Sequence, residues 1–223
     1  AKPPFPRRAL KAMRQPEQVL AELEGRESLD SQFVVGVLDV FVDDAVDDAT
    51  FNSLTAVATK LGGIAVKRGG KLASRLELEL TLRTQQGGGG EVGGAPVDTP
   101  QQAGAQKPPG RTAGYRFLLV LALADRSLST ALVHDHVAGH DFFLIRKMAS
   151  DLAHCLNHLH EQGRIHADLK PLNAVRVASR WQLIDMDVSC AIGAAFGSKV
   201  PSSGYCPPEM AAVLLTAGCV HVG

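Results

Sequence analysis

The stretch from residue 84 to 113 limits what this chain can fold into more than any other. It holds Gln85-Gln86-Gly87-Gly88-Gly89-Gly90 and, further on, Gln106-Lys107-Pro108-Pro109-Gly110. Such a segment buries too little apolar surface to offset the entropy of ordering it. The flanks, 1–43 and 114–223, look globular, whereas 44–113 grows steadily poorer in pattern. Residues 44–113 read as an insertion, largely low complexity from 84, looping out of one domain. Hydrophobic residues make up 45% of the 223, enough for the flanks to build a core.

The flanks carry periodic patterns. Pro16 opens a helix with Val19, Leu20 and Leu23 on its apolar side, kept short by Gly25. Residues 33–42, rich in β-branched and aromatic side chains, predict a strand. Leu76, Leu78, Leu80 and Leu82 alternate with polar residues at the period of another strand, and 117–123 predicts a buried one. Asp141 caps a long helix with Ile145, Met148, Leu152, Cys155, Leu156 and Leu159 on its core side, stopped by Gly163. Residues 174–177 and 181–184 predict a hairpin around Ala178-Ser179-Arg180.

Charge and composition exclude several classes. The 23 basic residues balance 23 acidic ones, so nothing electrostatic calls for nucleic acid or an anionic membrane. The strongly apolar runs are short, such as 117–122 and 211–215, and fall far below the roughly 20 residues of a membrane span. The opening residues do not read as a secretory leader. Cysteines at 155, 190, 206 and 219 form no CxxC pair, which points to a reducing, cytoplasmic setting. His154 and His158 stand four apart on the long helix, and His134 and His136 flank Asp135. No acid or cysteine completes a metal-ligand set with them, so they read as ordinary polar positions.

Chemistry concentrates after the long helix. Ile165-His166-Ala167-Asp168-Leu169-Lys170-Pro171-Leu172-Asn173 is followed, 17 residues beyond Asp168, by Leu183-Ile184-Asp185-Met186-Asp187. Tyr205-Cys206-Pro207-Pro208-Glu209 comes next. In order and spacing these segments resemble the H-R-D-L-K-P-x-N, D-F-G and A-P-E motifs of eukaryotic protein kinases, serine/threonine type. The resemblance covers about 150 of the 223 residues. It implies an α+β, two-lobed, protein-kinase-like fold: a small β-rich N-lobe with one helix and a mainly helical C-lobe. It also implies transfer of the γ-phosphate of ATP, with Mg²⁺, to serine or threonine of a protein substrate. In that scheme Asp168 accepts the hydroxyl proton and Lys170 steadies the γ-phosphate. Asn173 and Asp185 bind Mg²⁺.

The resemblance extends to the N-terminal flank. Ala9-Leu10-Lys11 is similar to the strand whose lysine holds the α- and β-phosphates, and 19–23 to the helix that presents its glutamate partner, here Glu22. Residues 1–43 would then supply a partial N-lobe of the third strand, that helix and the fourth strand. Residues 114–223 would supply the fifth strand, the hinge and a partial C-lobe through the activation segment. Ala9, Val175 and the hinge at Leu123 and Ala124 would enclose the adenine. Ile64-Ala65-Val66-Lys67, with Glu77 or Glu79, is a rival lysine strand. Lys11 is preferred because residues 75–83 alternate like a strand rather than a helix. Gly88-Gly89-Gly90-Glu91-Val92-Gly93 fits G-x-G-x-x-G formally but follows both lysines, so it reads as low complexity.

Departures matter as much. Ala167 replaces the motif's arginine, which implies that a phosphorylated activation segment is not the switch here. Met186 and Asp187 replace the phenylalanine and glycine after Asp185, and Asp187 lacks glycine's backbone freedom. Ser202 matches a residue that steadies Asp168 in serine/threonine kinases. Ten residues precede Lys11 and 14 follow Glu209, so the resemblance implies a domain incomplete at both ends. Two alternatives stay open: a catalytically impaired pseudokinase or interaction module, and a small-molecule phosphotransferase of the aminoglycoside or choline kinase kind.

Overall fold

A computed structural model describes residues 8–69, 114–194 and 203–212, apart from 136, 138 and 209. Its first part comprises β1 (Arg8–Met13), α1 (Pro16–Glu24), β2 (Val37–Val42), α2 (Asp48–Lys60), β3 (Ala65–Arg68) and β4 (Phe117–Ala122). The second comprises β5 (Arg126–Ser127), α3 (Leu128–His134), α4 (Phe142–Glu161), β6 (Arg164–Ile165), β7 (Ala174–Val177), β8 (Arg180–Leu183) and β9 (Cys190–Ala191). The content is mixed α+β, compatible with a kinase-like fold. No helix among the described residues is long and apolar enough to cross a membrane.

Four strands form one sheet in the order β1-β4-β2-β3. β4 lies between β1 and β2 and runs antiparallel to both. A strand flanked on both edges and covered on its faces has little use for polar residues, and Phe117 through Leu121 are all buried. β3 adds to β2 in parallel, which requires a crossover, and α2 provides it. Asp47 caps α2 by accepting the Thr50 N–H at 2.8 Å. Leu54, with Phe51 and Val57 beside it, packs into the core that holds Val19, Leu23, Val40, Val42 and Leu119.

Two expectations change here. The sequence patterns do not predict α2, although this helix and β3 occupy the first part of the stretch read as an insertion. Residues 33–42 are not one strand. Residues 37–42 pair with β4, whereas 33–35 pair with β8: Val34 bridges Leu183, Val35 N–H donates to Leu183 O at 2.9 Å, and Leu183 N–H donates to Phe33 O at 2.9 Å. The run is β-rich because two different partners bury it. The strand expected at 76–82 and the glycine cluster at 88–93 lie outside the described residues.

α4 begins where expected, with Asp141 accepting the Leu144 N–H at 2.8 Å, and buries Met148, Cys155 and Leu159. It is fastened to β8: Asp151 accepts the Trp181 N–H at 3.2 Å, and the Cys155 thiol donates to Trp181 O at 3.3 Å. β7 and β8 form the expected hairpin, tighter than predicted. Val177 faces Arg180 across it, leaving Ala178-Ser179 as the loop. The hairpin delivers Asp185 back toward the loop that precedes it.

Candidate active site

Gly163, with φ of 68°, ends α4, and β6 carries the chain to His166 while pairing with β9. His166 is buried. Its Nδ1 lies 3.3 Å from the Asp168 backbone nitrogen and its Nε2 lies 3.0 Å from Ile184 O. The Asp168 N–H needs an acceptor, so the ring proton sits on Nε2 and donates to Ile184 O. A neutral imidazole satisfies both contacts, and burial holds the pKa of His166 below the ordinary histidine value. The histidine thereby joins the loop to the backbone one residue before Asp185.

Asp168 is buried, and its Oδ2 accepts from Lys170 Nζ at 2.6 Å and from Asn173 Nδ2 at 3.0 Å. Asn173 also donates to Asp168 O at 2.9 Å. A short 3₁₀ turn (Pro171–Asn173) folds Asn173 back for this purpose, with its N–H on Lys170 O at 2.9 Å. Ile184 N–H donates to Asn173 O at 3.0 Å, which seats Asp185 beside the same turn. Ala167 and Asp185 both adopt left-handed backbone, with φ of 65° and 69°. Neither is glycine, so the hydrogen bonds on either side must hold these conformations against a local cost.

From the sheet, β1 places Ala9 and Lys11 on one face. Lys11 Nζ stands 2.6 Å from Asp185 Oδ1 and 3.0 Å from Glu22 Oε1. Glu22, on the inner face of α1, is fully buried. Its Oε1 also lies 2.9 Å from Arg26 Nη1. Both contacts are charge pairs off the hydrogen-bond direction, and Oε2 is buried with no hydrogen-bond partner among the described residues. Lys67 is elsewhere: it pairs with Asp39 at 2.6 Å on the exposed side of β3. Glu77 and Glu79 lie outside the described residues. The structure therefore brings Lys11, not Lys67, to an acid of α1 and to Asp185.

Ala9, Ala124 and Val175 pack in one apolar cluster with Ala122 and Ile184, between the sheet and the β7–β8 hairpin. Leu123 does not join that cluster and is 42% exposed. An open cavity of about 390 Å³ is lined by Lys11, Arg14, Gln18, Tyr115, Asp185 and Asp187. Carboxylate oxygens of Glu22, Asp185 and Asp187 lie within 4.8 Å of one another. Mg²⁺ takes hard oxygen ligands, and the Asp185 carboxylate and the Asn173 side-chain oxygen are donors of that kind. Asn173 turns its amide nitrogen to Asp168, which directs its oxygen away from that residue.

Sequence reasoning missed Arg26. The signal was present, because Glu22 and Arg26 are four apart on the helix and its following turn, a spacing that pairs acid with base. It also missed why Gly25 is glycine: the Met186 backbone lies where a Cβ would stand. His158 has a plain structural role: its Nε2 accepts the Asp30 N–H at 2.9 Å and its ring stacks on Phe33. Met186 is fully buried beside Val34, Cys155 and Leu183, so methionine packs in the expected place. Ser202 and Glu209 lie outside the described residues.

No protein-family model matches the chain. A stretch of 93 residues is 36% identical to the serine/threonine-protein kinase Kist of Rattus norvegicus, and 34% identical to the proteins of that name from Mus musculus and Homo sapiens. Each match covers 41% of this chain and 22% of the relative, so the matched part spans about a fifth of those kinases. The chain thus contains a region related to a serine/threonine protein kinase.

Proposed function

We propose that this chain is an ATP-dependent protein kinase that transfers the γ-phosphate to serine or threonine of protein substrates. One observation carries the reading. Lys11 from β1 reaches both Glu22 of α1 and Asp185 after β8, next to the turn that presents Asp168, Lys170 and Asn173. Phosphoryl transfer is mostly positioning and charge stabilisation, and this is a set of groups suited to both.

Each side chain then has a task. Lys11 turns from Asp185 to the α- and β-phosphates, remaining tied to Glu22. Asp168, oriented by Asn173 and Lys170, accepts the proton of the attacking hydroxyl. Lys170 offers its ammonium to the γ-phosphate. Asp185 and Asn173 would hold Mg²⁺, which when bound neutralises phosphate charge. Ala9, Ala124 and Val175 supply the apolar faces for adenine, with Leu123 contributing hinge backbone. The cysteines at 155, 190 and 206 are free thiols, which suits a cytoplasmic setting.

A second reading, a catalytically impaired kinase-like module, is favoured by Asp187. Its carboxylate adds a third negative charge to those of Glu22 and Asp185, where the resemblance has glycine. The deciding experiment is Mg²⁺-dependent transfer from labelled ATP to a generic protein acceptor, beside choline and an aminoglycoside. The expected result is transfer to protein only, lowered at least about 100-fold by Asp168→Asn. Nucleotide bound without transfer would favour the second reading. Transfer to choline or the aminoglycoside would replace the protein acceptor.

A further inference from the structure

We propose that Arg26 is a positioning residue for the phosphate-binding lysine. The inference rests on the kinase reading above and deepens it. Arg26 is 5% exposed, yet it belongs to no motif of the resemblance. Its guanidinium makes three contacts of different kinds. Nη1 donates to Glu22 O at 2.7 Å and lies 2.9 Å from Glu22 Oε1, while Nε donates to Val35 O at 3.0 Å.

These contacts close a ring. Lys11 pairs with Glu22, Glu22 with Arg26, and Arg26 with the Val35 carbonyl. Val35 N–H bonds to Leu183 O at 2.9 Å, and the chain runs two residues on to Asp185, whose carboxylate returns to Lys11 at 2.6 Å. Every link joins a different element: β1, α1, the turn after it, the 33–35 segment and the end of β8. Two carbonyl hydrogen bonds fix the guanidinium in place, and its charge faces the Glu22 carboxylate.

Charge explains why the ring needs Arg26. The ammonium of Lys11 serves two carboxylates, and nucleotide phosphates would draw it from both. Glu22 is fully buried and would then be left with a weakened partner, an arrangement that proteins avoid. Arg26 keeps that carboxylate compensated while Lys11 moves. It also holds the carboxylate in place, so the lysine is aimed before nucleotide arrives.

The test measures MgATP binding to the full chain, alongside thermal unfolding, for wild type, Arg26→Met, Arg26→Lys, Glu22→Gln and the Arg26→Met/Glu22→Gln pair. Arg26→Met is expected to weaken MgATP about tenfold. Arg26→Lys keeps the charge and should recover most of that loss. The pair should bind no worse than Glu22→Gln alone, because both substitutions break one link. A purely structural arginine would lower the melting temperature of Arg26→Met and Arg26→Lys while leaving nucleotide affinity intact, and that pattern overturns the proposal. Additive losses in the pair overturn it as well. Should Arg26→Met fail to fold, Arg26→Gln takes its place, and MgATP affinity equal to wild type in that variant sinks the idea. Wild type that binds no MgATP overturns the kinase reading itself, and the positioning role with it.

Discussion

At position 25, an added methyl group would have no room. A Cβ there would stand 2.5 Å from Met186 O, 2.6 Å from Ser189 Oγ and 2.8 Å from Met186 Cβ. The backbone itself would accept alanine, since Gly25 has φ of −57° and ends α1 in helical conformation. Two effects therefore oppose each other. Helix propensity favours alanine by about 0.5–1 kcal/mol, whereas overpacking against backbone costs about 1–3 kcal/mol. Sterics should win, and Gly25→Ala is expected to destabilise the chain by about 1–2 kcal/mol in urea denaturation. Because the displaced residue follows Asp185, MgATP affinity should fall too. A Gly25→Ala protein as stable as wild type would show that the Met186 loop yields freely. His166 makes a second prediction. Burial depresses its folded pKa, against nearby Asp168, Asp185 and Glu22, which pull the other way. The unfolded chain, with its histidine near 6.5, binds the proton first as pH falls. Stability from this residue is thus full at pH above about 6.5 and declines below it, by at most about 1.4 kcal/mol per pH unit. Denaturation midpoints between pH 7.5 and 5.5 should slope less in His166→Gln than in wild type. Equal slopes would remove His166 from the account.

Elements differ in how openly their residues announce them. α4 is legible because cap, apolar stripe and stop lie within one stretch: Asp141, then Met148, Cys155 and Leu159, then Gly163. Replacing the cap, Asp141→Ala, should cost about 1 kcal/mol, read as a lower denaturation midpoint. Little change would mean that packing on β8, not the cap, sets where this helix begins. Asp168, Lys170 and Asn173 stand out together in one short loop motif, whereas the hydrogen bonds that join them are seen only in the structure. α2 is harder to recognise, although Asp47 caps it and Phe51, Leu54 and Val57 recur at helical spacing. The glycine-rich stretch beyond it drew the whole region into one reading. The break at Gly36 and the role of Arg26 were beyond local reading for a firmer reason. Each depends on Val35, and the partner of Val35 is Leu183, far along the chain. The thiol of Cys155 is a product of the same packing. Burial and the nearby Asp151 charge push its pKa up to about 11, so it should resist thiol reagents at pH 8 until denaturant opens the chain.

Across the whole molecule, two adjacent valines stitch two cores together. Val35 belongs to the sheet core with Val19, Leu23 and Leu119, whereas Val34 belongs to the core of α4 and β8 with Cys155, Leu159 and Met186. Their backbone pairs with β8 between these layers. The parts also meet through Val175, Val177 and Ile184, which pack against the sheet core, and through polar links: Arg164 Nη2 to Glu24 O at 2.7 Å, the Asp30 N–H to His158, and Lys11 to Asp185. The 33–35 step adds backbone hydrogen bonds to this packing and should carry much of the cooperativity that makes the parts melt as one. Val35→Pro removes the N–H that bonds to Leu183 O, and with it the middle of the ladder. Val35→Ala keeps that N–H and loses only methyl groups, at about 0.8 kcal/mol per buried carbon before any cavity cost. Calorimetry should then separate the two roles. Val35→Ala is expected to melt earlier in a single transition. Val35→Pro should melt in two, with MgATP protecting neither, because Lys11 and Asp185 no longer share one frame. One transition in Val35→Pro at the temperature of Val35→Ala would assign the coupling to side-chain packing instead of the ladder, and would move the search for the joint to Arg164 and His158.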